Sequence, residues 1–306
     1  MKGESREKDQ EKKFFSKVKT YTIPVSVESN KKNITIDTDR DNQVSRSRII
    51  SQAYKFHSEG NFSEAIRHYQ YFVEQGFIDA KVFCNYGALL KDIGNLKDAE
   101  IFTRKAIEIE CDNSIANSNL SAILLELGEL KQAKAYAIKG TELDPLSAQA
   151  FVTLGSALSD MGELISAEIA TRKAIELQPD FFNAYYNLSH ILIDLKKFKE
   201  AEISTREAIR INPLSFKIYY TLGYVLRELN DLSEAEKSAY RAIELNPEYA
   251  EAYSLLGIIN LQINNHDKAI KYYSKSANIL RKDRNNNPNQ LESFGIINKS
   301  KIDHDI

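Results

Sequence analysis

The sequence predicts an all-α fold, a solenoid of seven stacked helix-turn-helix repeats, and three observations carry that prediction. Pro145, Pro179, Pro213 and Pro247 stand 34 residues apart. Ala65, Ala99, Ala133, Ala167, Ala201, Ala235 and Ala269 keep the same spacing without a single insertion. Between these marks the apolar residues recur with a helical period. A fixed period of this length signals a stacked array, because a unit that cannot bury its apolar face alone must bury it against its neighbours.

With the alanines set at position 20, the repeats span 46–79, 80–113, 114–147, 148–181, 182–215, 216–249 and 250–283. In repeat 5, Tyr185, Leu188, Ser189 and Leu192 form one stripe along a helix, and Phe198, Ala201, Thr205, Ala208 and Ile209 form a second. Position 15 lies between the stripes and carries Gly60, Gly94, Gly128 or Gly162, which suits a left-handed helix stop. Lys196, Asn230 and Asn264 replace glycine there in repeats 5 to 7, and Asn tolerates that conformation better than Lys. Proline at position 32 ends the second helix, since the residue before it is pushed out of the helical region. Asn113, Ser147 and Ser215 at position 34 are placed to cap the next helix. Small residues at positions 8, 20 and 27 let two antiparallel helices approach closely. A coiled coil would need a seven-residue period without regular Gly and Pro breaks.

In chain order, residues 1–45 are polar and mixed in charge and read as a solvated, disordered tail. Its mild basic cluster, Lys12, Lys13, Lys17 and Lys19 around Phe14 and Phe15, lies beside Glu4, Glu7, Asp9 and Glu11. Asp37, Asp39 and Asp41 alternate like the start of a calcium loop, but Asn42 and Arg48 occupy the places of its Gly and Glu, so calcium is excluded. Repeat 1 has Ala53 at position 8 and Phe77 at position 32, as befits an end unit. Cys111 at position 32 predicts an irregular ending for repeat 2, and repeat 7 departs with His266 at position 17 and Arg281 at position 32. Residues 284–306 begin with an Asn-rich run and read as a tail, in which Leu291, Phe294, Ile296 and Ile297 can form a short capping helix. On the second helices, Glu100 with Arg104, Glu168 with Arg172 and Glu202 with Arg206 are i,i+4 pairs. They predict a solvated outer face, each pair adding about 0.2–0.5 kcal/mol.

Asn187-Leu188 at positions 6 and 7, Gly155 or Gly223 at position 8, Ala201 at 20, Ala208 at 27 and Pro213 at 32 together resemble the tetratricopeptide repeat. The resemblance covers Arg46 to about Asp283. The run from Thr103 to Glu108, repeated from Thr171 to Glu176, is similar to the near-identical arrays common in cyanobacterial proteins. Many such arrays precede a transferase domain, and too little chain follows the repeats here to fold as one. The family resemblance implies a right-handed superhelix whose first helices line a concave groove through positions 2, 5, 6, 9, 12 and 13.

That implication selects Lys81, Cys84, Asn85, Ala88 and Lys91 in repeat 2, and Ser118, Asn119, Ala122 and Glu126 in repeat 3. Repeat 5 contributes Asn183, Tyr186, Asn187, His190 and Asp194, and repeat 6 Lys217, Tyr220, Thr221, Tyr224, Arg227 and Glu228. Asn85, Asn119 and Asn187 share position 6, where an amide can hold an extended peptide backbone by donating and accepting. Asn is also simply common at that position in the family, and Thr153 and Thr221 interrupt the row. Tyr186, His190, Tyr220, Tyr224 and Arg227 gather on adjacent first helices, and Tyr and Arg are enriched in binding hot spots. Large residues at position 5 can equally pack sideways on the next helix. The family's clamp for chaperone tails needs Lys at position 5 and Asn at position 9. Here those positions hold Ile50 and Tyr54, Cys84 and Ala88, Ser118 and Ala122, or Tyr186 and His190, which excludes it.

Composition narrows the function classes. A formal net charge of -2 gives no global pull toward nucleic acid or an acidic membrane. Two cysteines, Cys84 and Cys111, are too few for a disulfide framework and fit a reducing cytoplasm. No apolar run approaches a membrane span, and the N-terminus lacks the apolar core of a secretory signal. No phosphate loop, dinucleotide fingerprint or Cys-x-x-Cys pair occurs, and His57, His68, His190, His266 and His304 have no i,i+4 partner to share a metal. The expectation is therefore a non-catalytic, cofactor-free scaffold that binds a protein or extended peptide in its groove. The second expectation is an accessory subunit of a separately encoded glycosyl- or sulfotransferase.

Overall fold

The structure, a computed structural model, describes residues 38–286. In chain order it contains α1 (Thr38–Ser58), α2 (Phe62–Glu74), α3 (Ala80–Asp92), α4 (Leu96–Ile109) and α5 (Ser114–Glu126). These are followed by α6 (Leu130–Leu143), α7 (Ala148–Asp160), α8 (Leu164–Leu177), α9 (Phe182–Asp194) and α10 (Phe198–Ile211). The series ends with α11 (Phe216–Glu228), α12 (Leu232–Leu245), α13 (Ala250–Gln262) and α14 (His266–Asn286). Among the described residues there is no strand, so the fold is an all-α solenoid of helix-turn-helix repeats. Odd-numbered helices are the first of each unit, and from α3 onward they start every 34 residues. The chain forms two compact units, residues 1–123 and 124–306.

The turn inside every repeat has the left-handed residue that its spacing demands. Gly60, Gly94, Gly128 and Gly162 have φ between 71° and 81°, and Lys196, Asn230 and Asn264 adopt 57°, 64° and 59° at the same place. Lys196 is the costly member, because its Cβ crowds the following carbonyl. At position 34, Asn113 and Ser147 cap their helices, accepting from the backbone N–H of Ala116 at 2.8 Å and of Ala150 at 3.2 Å. Ser215 stands at the same point without a side-chain cap bond, contrary to expectation.

Three local expectations are corrected. Repeat 2 ends regularly although Cys111 replaces proline. The last residue of α4 is Ile109, and Glu110 takes φ −134° and ψ 88°, close to the φ −136° and ψ 89° of Asp144 before Pro145. Proline thus reinforces a stop that the capped neighbouring helix already imposes. The first helix begins at Thr38, ahead of Arg46, because neither glycine nor proline interrupts the chain up to Ser58. The last helix runs past position 32 to Asn286, since Arg281 does not obstruct it as proline would. Residues 1–37 and the proposed capping segment with Leu291, Phe294, Ile296 and Ile297 lie outside the described residues.

Packing differs between the units. In residues 1–123 the core is aromatic, with Tyr69, Phe72, Phe83 and Tyr86 buried. The Tyr69 and Tyr86 rings stack at 5.4 Å, and Tyr86 meets Phe102 at 4.7 Å. In residues 124–306 small side chains close the helix pairs. Ala167, Ala201 and Ala235 are fully buried, and a Cβ on Gly155 would sit 2.2 Å from the Thr171 hydroxyl. Here successive first helices pack on one another, α7 on α9, α9 on α11 and α11 on α13. Among the described residues no two successive second helices pack as closely. This unit is therefore packed more tightly on its first-helix side.

The outer face is more than solvated. Besides Arg172 Nε to Glu168 at 2.9 Å, Lys197 Nζ donates to Glu168 at 2.8 Å and Arg172 to Glu200 at 2.6 Å. This network ties repeat 4 to repeat 5, and Glu168 is buried within it.

Candidate functional site

An i,i+4 spacing stacks side chains along one face of a helix. On α9 it aligns Phe182, Tyr186, His190 and Asp194, and on α11 Phe216, Tyr220, Tyr224 and Glu228. The Phe182 and Tyr186 rings lie nearly parallel, 5.9 Å apart at 17°, and His190 meets Tyr186 edge-on at 4.7 Å. On the next helix Tyr220 meets Tyr249 at 5.4 Å, and Phe216 meets the same ring at 4.8 Å. The Arg227 guanidinium lies 4.8 Å from the centre of the Tyr224 ring and pairs with Glu228.

These rings are rooted in the core and reach solvent. Tyr224 packs on the cluster of Leu188, Leu192, Ala201 and Val225, and Tyr220 on the cluster of Leu222, Leu255 and Ile259. Both are half-buried, as is Tyr186, whereas His190 is solvent-accessible. Burial pushes the Tyr186 hydroxyl up. Burial, then Glu251 and Tyr224, raise that of Tyr220 against the opposing pull of Arg227. Burial followed by Glu251, Tyr220 and Tyr186 raises Tyr249. His190, though accessible, is surrounded by enough protein to be desolvated, which lowers its pKa against the pull of Asp194. Near neutral pH the wall is therefore a set of uncharged rings with hydrogen-bonding tips.

The structure gathers Tyr186, His190, Tyr220, Tyr224 and Arg227 as the sequence suggested, all within the second unit. Lys217 is exposed at the start of α11, and its carbonyl accepts from Thr221 Oγ1 at 3.1 Å. The asparagines behave differently. Asn187 Nδ2 donates to Ser156 Oγ at 2.8 Å, joining α9 to α7. In the first unit Asn119 Nδ2 donates to Cys84 Sγ at 3.4 Å, and Asn85 faces the Tyr69 hydroxyl. Each amide is thus engaged with a neighbouring helix, and for Asn187 and Asn119 it is the donor side that is taken. Burial pushes the Cys84 thiol up to about 11, which makes it a poor nucleophile. Among the described residues no group of three or more His, Cys, Asp or Glu could hold a metal ion.

Sequence reasoning missed Tyr249 and Glu251. Tyr249 precedes α13 at position 34, which the sequence marks for capping and not for the groove, yet it forms an edge of the wall against Phe216 and Tyr220. The available signal was the density of rings about Phe182, Phe216 and Tyr249, one at each repeat junction.

Two family models described as tetratricopeptide repeat match the chain, one over residues 220–287 and the other over 116–145, 148–181 and 182–213. Together they span more than half of it. The chain belongs to the tetratricopeptide repeat family. Its wall lies on the first helices of consecutive tetratricopeptide repeats. Solved structures agree on the fold. A tetratricopeptide repeat protein from Parabacteroides merdae is 18% identical with a TM-score of 0.59, over 77% of this chain and 93% of the other. The pilF protein of Pseudomonas aeruginosa is 19% identical with a TM-score of 0.56, over 63% of this chain and 88% of its own. MamA of Desulfovibrio magneticus is 22% identical with a TM-score of 0.51, over 55% of this chain and 96% of its own. No curated protein matches this tetratricopeptide array by sequence. No helix among the described residues is long and apolar enough to cross a membrane.

Proposed function

We propose that this chain is a non-catalytic scaffold that holds a peptide segment or protein against the concave wall formed by α7, α9, α11 and α13. The observation that carries this reading is the group Tyr186, His190, Tyr220, Tyr224 and Arg227, whose rings reach solvent while alanines close the helix pairs behind them. Tyrosine and arginine bury large areas and still hydrogen-bond, which is why they anchor interfaces. Because stacked repeats are rigid, binding costs little ordering on the side of the array. We further propose a reducing compartment such as the cytoplasm, in keeping with Cys111, which is exposed and free.

The test is a double substitution, Tyr186→Ala with Tyr224→Ala. Affinity capture by the wild-type chain is expected to retain a partner that the variant loses. Helicity by circular dichroism should be nearly unchanged, because the buried alanine contacts remain. Equal retention of the partner by the folded variant refutes the site.

A further inference from the structure

We infer that the segment held by this wall is cationic: an extended peptide of another protein that presents lysine or arginine side chains to the tyrosine faces of α9 and α11 and to the carboxylates beside them. The inference rests on the wall being the binding surface.

Charge distribution is the first argument. The wall carries four carboxylates, Asp160, Asp194, Glu228 and Glu251, against two permanent cations, Lys217 and Arg227. Arg227 is already engaged by Glu228 and by the Tyr224 ring. Among the described residues, no ion pair joins a base to Asp160, Asp194 or Glu251. The second helices of the same unit pair most of their acids. Glu168, Glu200, Glu202, Glu207, Glu234 and Glu244 have a lysine or arginine partner, while Glu142, Glu236 and Asp267 have none among the described residues. Three of the four carboxylates on the wall are thus left without a base from the described chain itself.

Their placement argues the same way. Asp160, Asp194 and Glu228 are the last residues of α7, α9 and α11. The C-terminal end of a helix already carries partial negative charge, so a carboxylate there opposes helix stability. Asp160 gains nothing locally to offset that. Asp160 reaches solvent, yet the protein around it desolvates its carboxyl and pushes it up, and no base counters the effect. A lysine or arginine brought by a partner would satisfy these groups at once.

The aromatic half of the wall suits the same occupant. The negative face of a tyrosine ring attracts an ammonium or guanidinium group. Arg227 over Tyr224 shows that the wall accepts this geometry from its own chain. Tyr186 and Tyr220 also reach solvent on this wall, with Asp194 near His190 and Glu251 near Tyr220. An acidic segment would instead meet the carboxylates without compensation.

The test uses the full chain and three fluorescein-labelled synthetic peptides. They share length and leucine content and differ only in carrying lysine, glutamine or glutamate at alternate positions. By fluorescence anisotropy the lysine peptide is expected to bind about tenfold or more tighter than the glutamine peptide, with glutamate weakest. Added salt should narrow the difference. Asp160→Asn with Asp194→Asn should weaken the lysine peptide about tenfold and leave the glutamine peptide unchanged. Those substitutions remove a charge from helix ends where it is unfavourable, so the fold persists, as circular dichroism would verify. If all three peptides bind alike and all lose affinity in the Tyr186→Ala, Tyr224→Ala variant, the cationic preference is overturned while the wall stands. If the lysine peptide binds that variant as well as wild type, both the preference and the wall are overturned. Failure of every peptide to bind overturns the preference too.

Discussion

Tyr69 of the first unit is fully buried, with its hydroxyl 3.1 Å from His57 Nδ1, whereas Tyr186 of the second stands half-exposed on a wall. The contrast runs through both units. In residues 1–123 the rings of Tyr69, Phe72, Phe83 and Tyr86 fill the space between helices, and the groove positions Lys81, Cys84, Asn85, Ala88 and Lys91 of α3 carry no ring. In residues 124–306 the large buried side chains are aliphatic, among them Leu188, Ile191, Leu192 and Leu256, and rings stand at the groove positions of α9 and α11. The same helix-turn-helix frame can thus close around aromatic or aliphatic side chains. Rings that closure does not require are left available for a partner, and this distinguishes Tyr186, Tyr220 and Tyr224 from Tyr69 and Phe72.

The largest expected effect separates the two kinds of ring. Phe72 is fully buried against Phe77 at 5.4 Å and Phe83 at 6.4 Å. Phe72→Ala should therefore cost about 3–5 kcal/mol of stability. Urea denaturation followed by circular dichroism would measure it, with Tyr186→Ala as the comparison. Equal losses from the two substitutions would erase the distinction between filler and wall rings. A smaller effect should show where the units agree. A Cβ on Gly87 or on Gly155 would lie 2.2 Å from the hydroxyl of Thr103 or Thr171, with the Ala99 carbonyl at 3.1 Å or the Ala167 carbonyl at 3.3 Å. Gly87→Val and Gly155→Val should each cost about 1–3 kcal/mol by overpacking. Thermal melts of the two variants should fall together, because the tight helix crossing is common to both units.

Features repeated every 34 residues were legible in the sequence, because each reflects one backbone requirement met again and again. The positive φ at Gly60, Gly94, Gly128 and Gly162 is an example, and even Lys196 obeys the register against its own preference. The site was legible as far as it lies on helix faces, which fixed spacing reveals for Tyr186, His190, Tyr220 and Tyr224. Tyr249 was not, because it joins the wall from a repeat junction, where no periodicity predicts direction. Nor does spacing reveal that the Asn187 amide donates to Ser156 or that Ser215 makes no cap bond, since both depend on neighbouring geometry. Repeat 2 misled for a related reason: Cys111 removed the sequence mark of a helix stop, but the Asn113 cap kept the stop itself.

Lys196 supplies the smallest test. Four units reach the left-handed turn with glycine, two with asparagine, and repeat 5 alone with lysine, at φ 57°. The side chain is exposed, so its substitution removes no core contact. A non-glycine residue in this conformation carries roughly 1 kcal/mol of steric strain, partly offset because glycine loses more backbone entropy on folding. Lys196→Gly should accordingly stabilise the chain by up to about 0.5 kcal/mol, seen as a higher urea midpoint with an unchanged slope. Gly162→Lys, which places the same residue in the turn of repeat 4, should produce a loss of similar size. If both substitutions leave the midpoint unmoved, the turn does not impose its backbone on the residue, and the repeat register is set by helix packing alone.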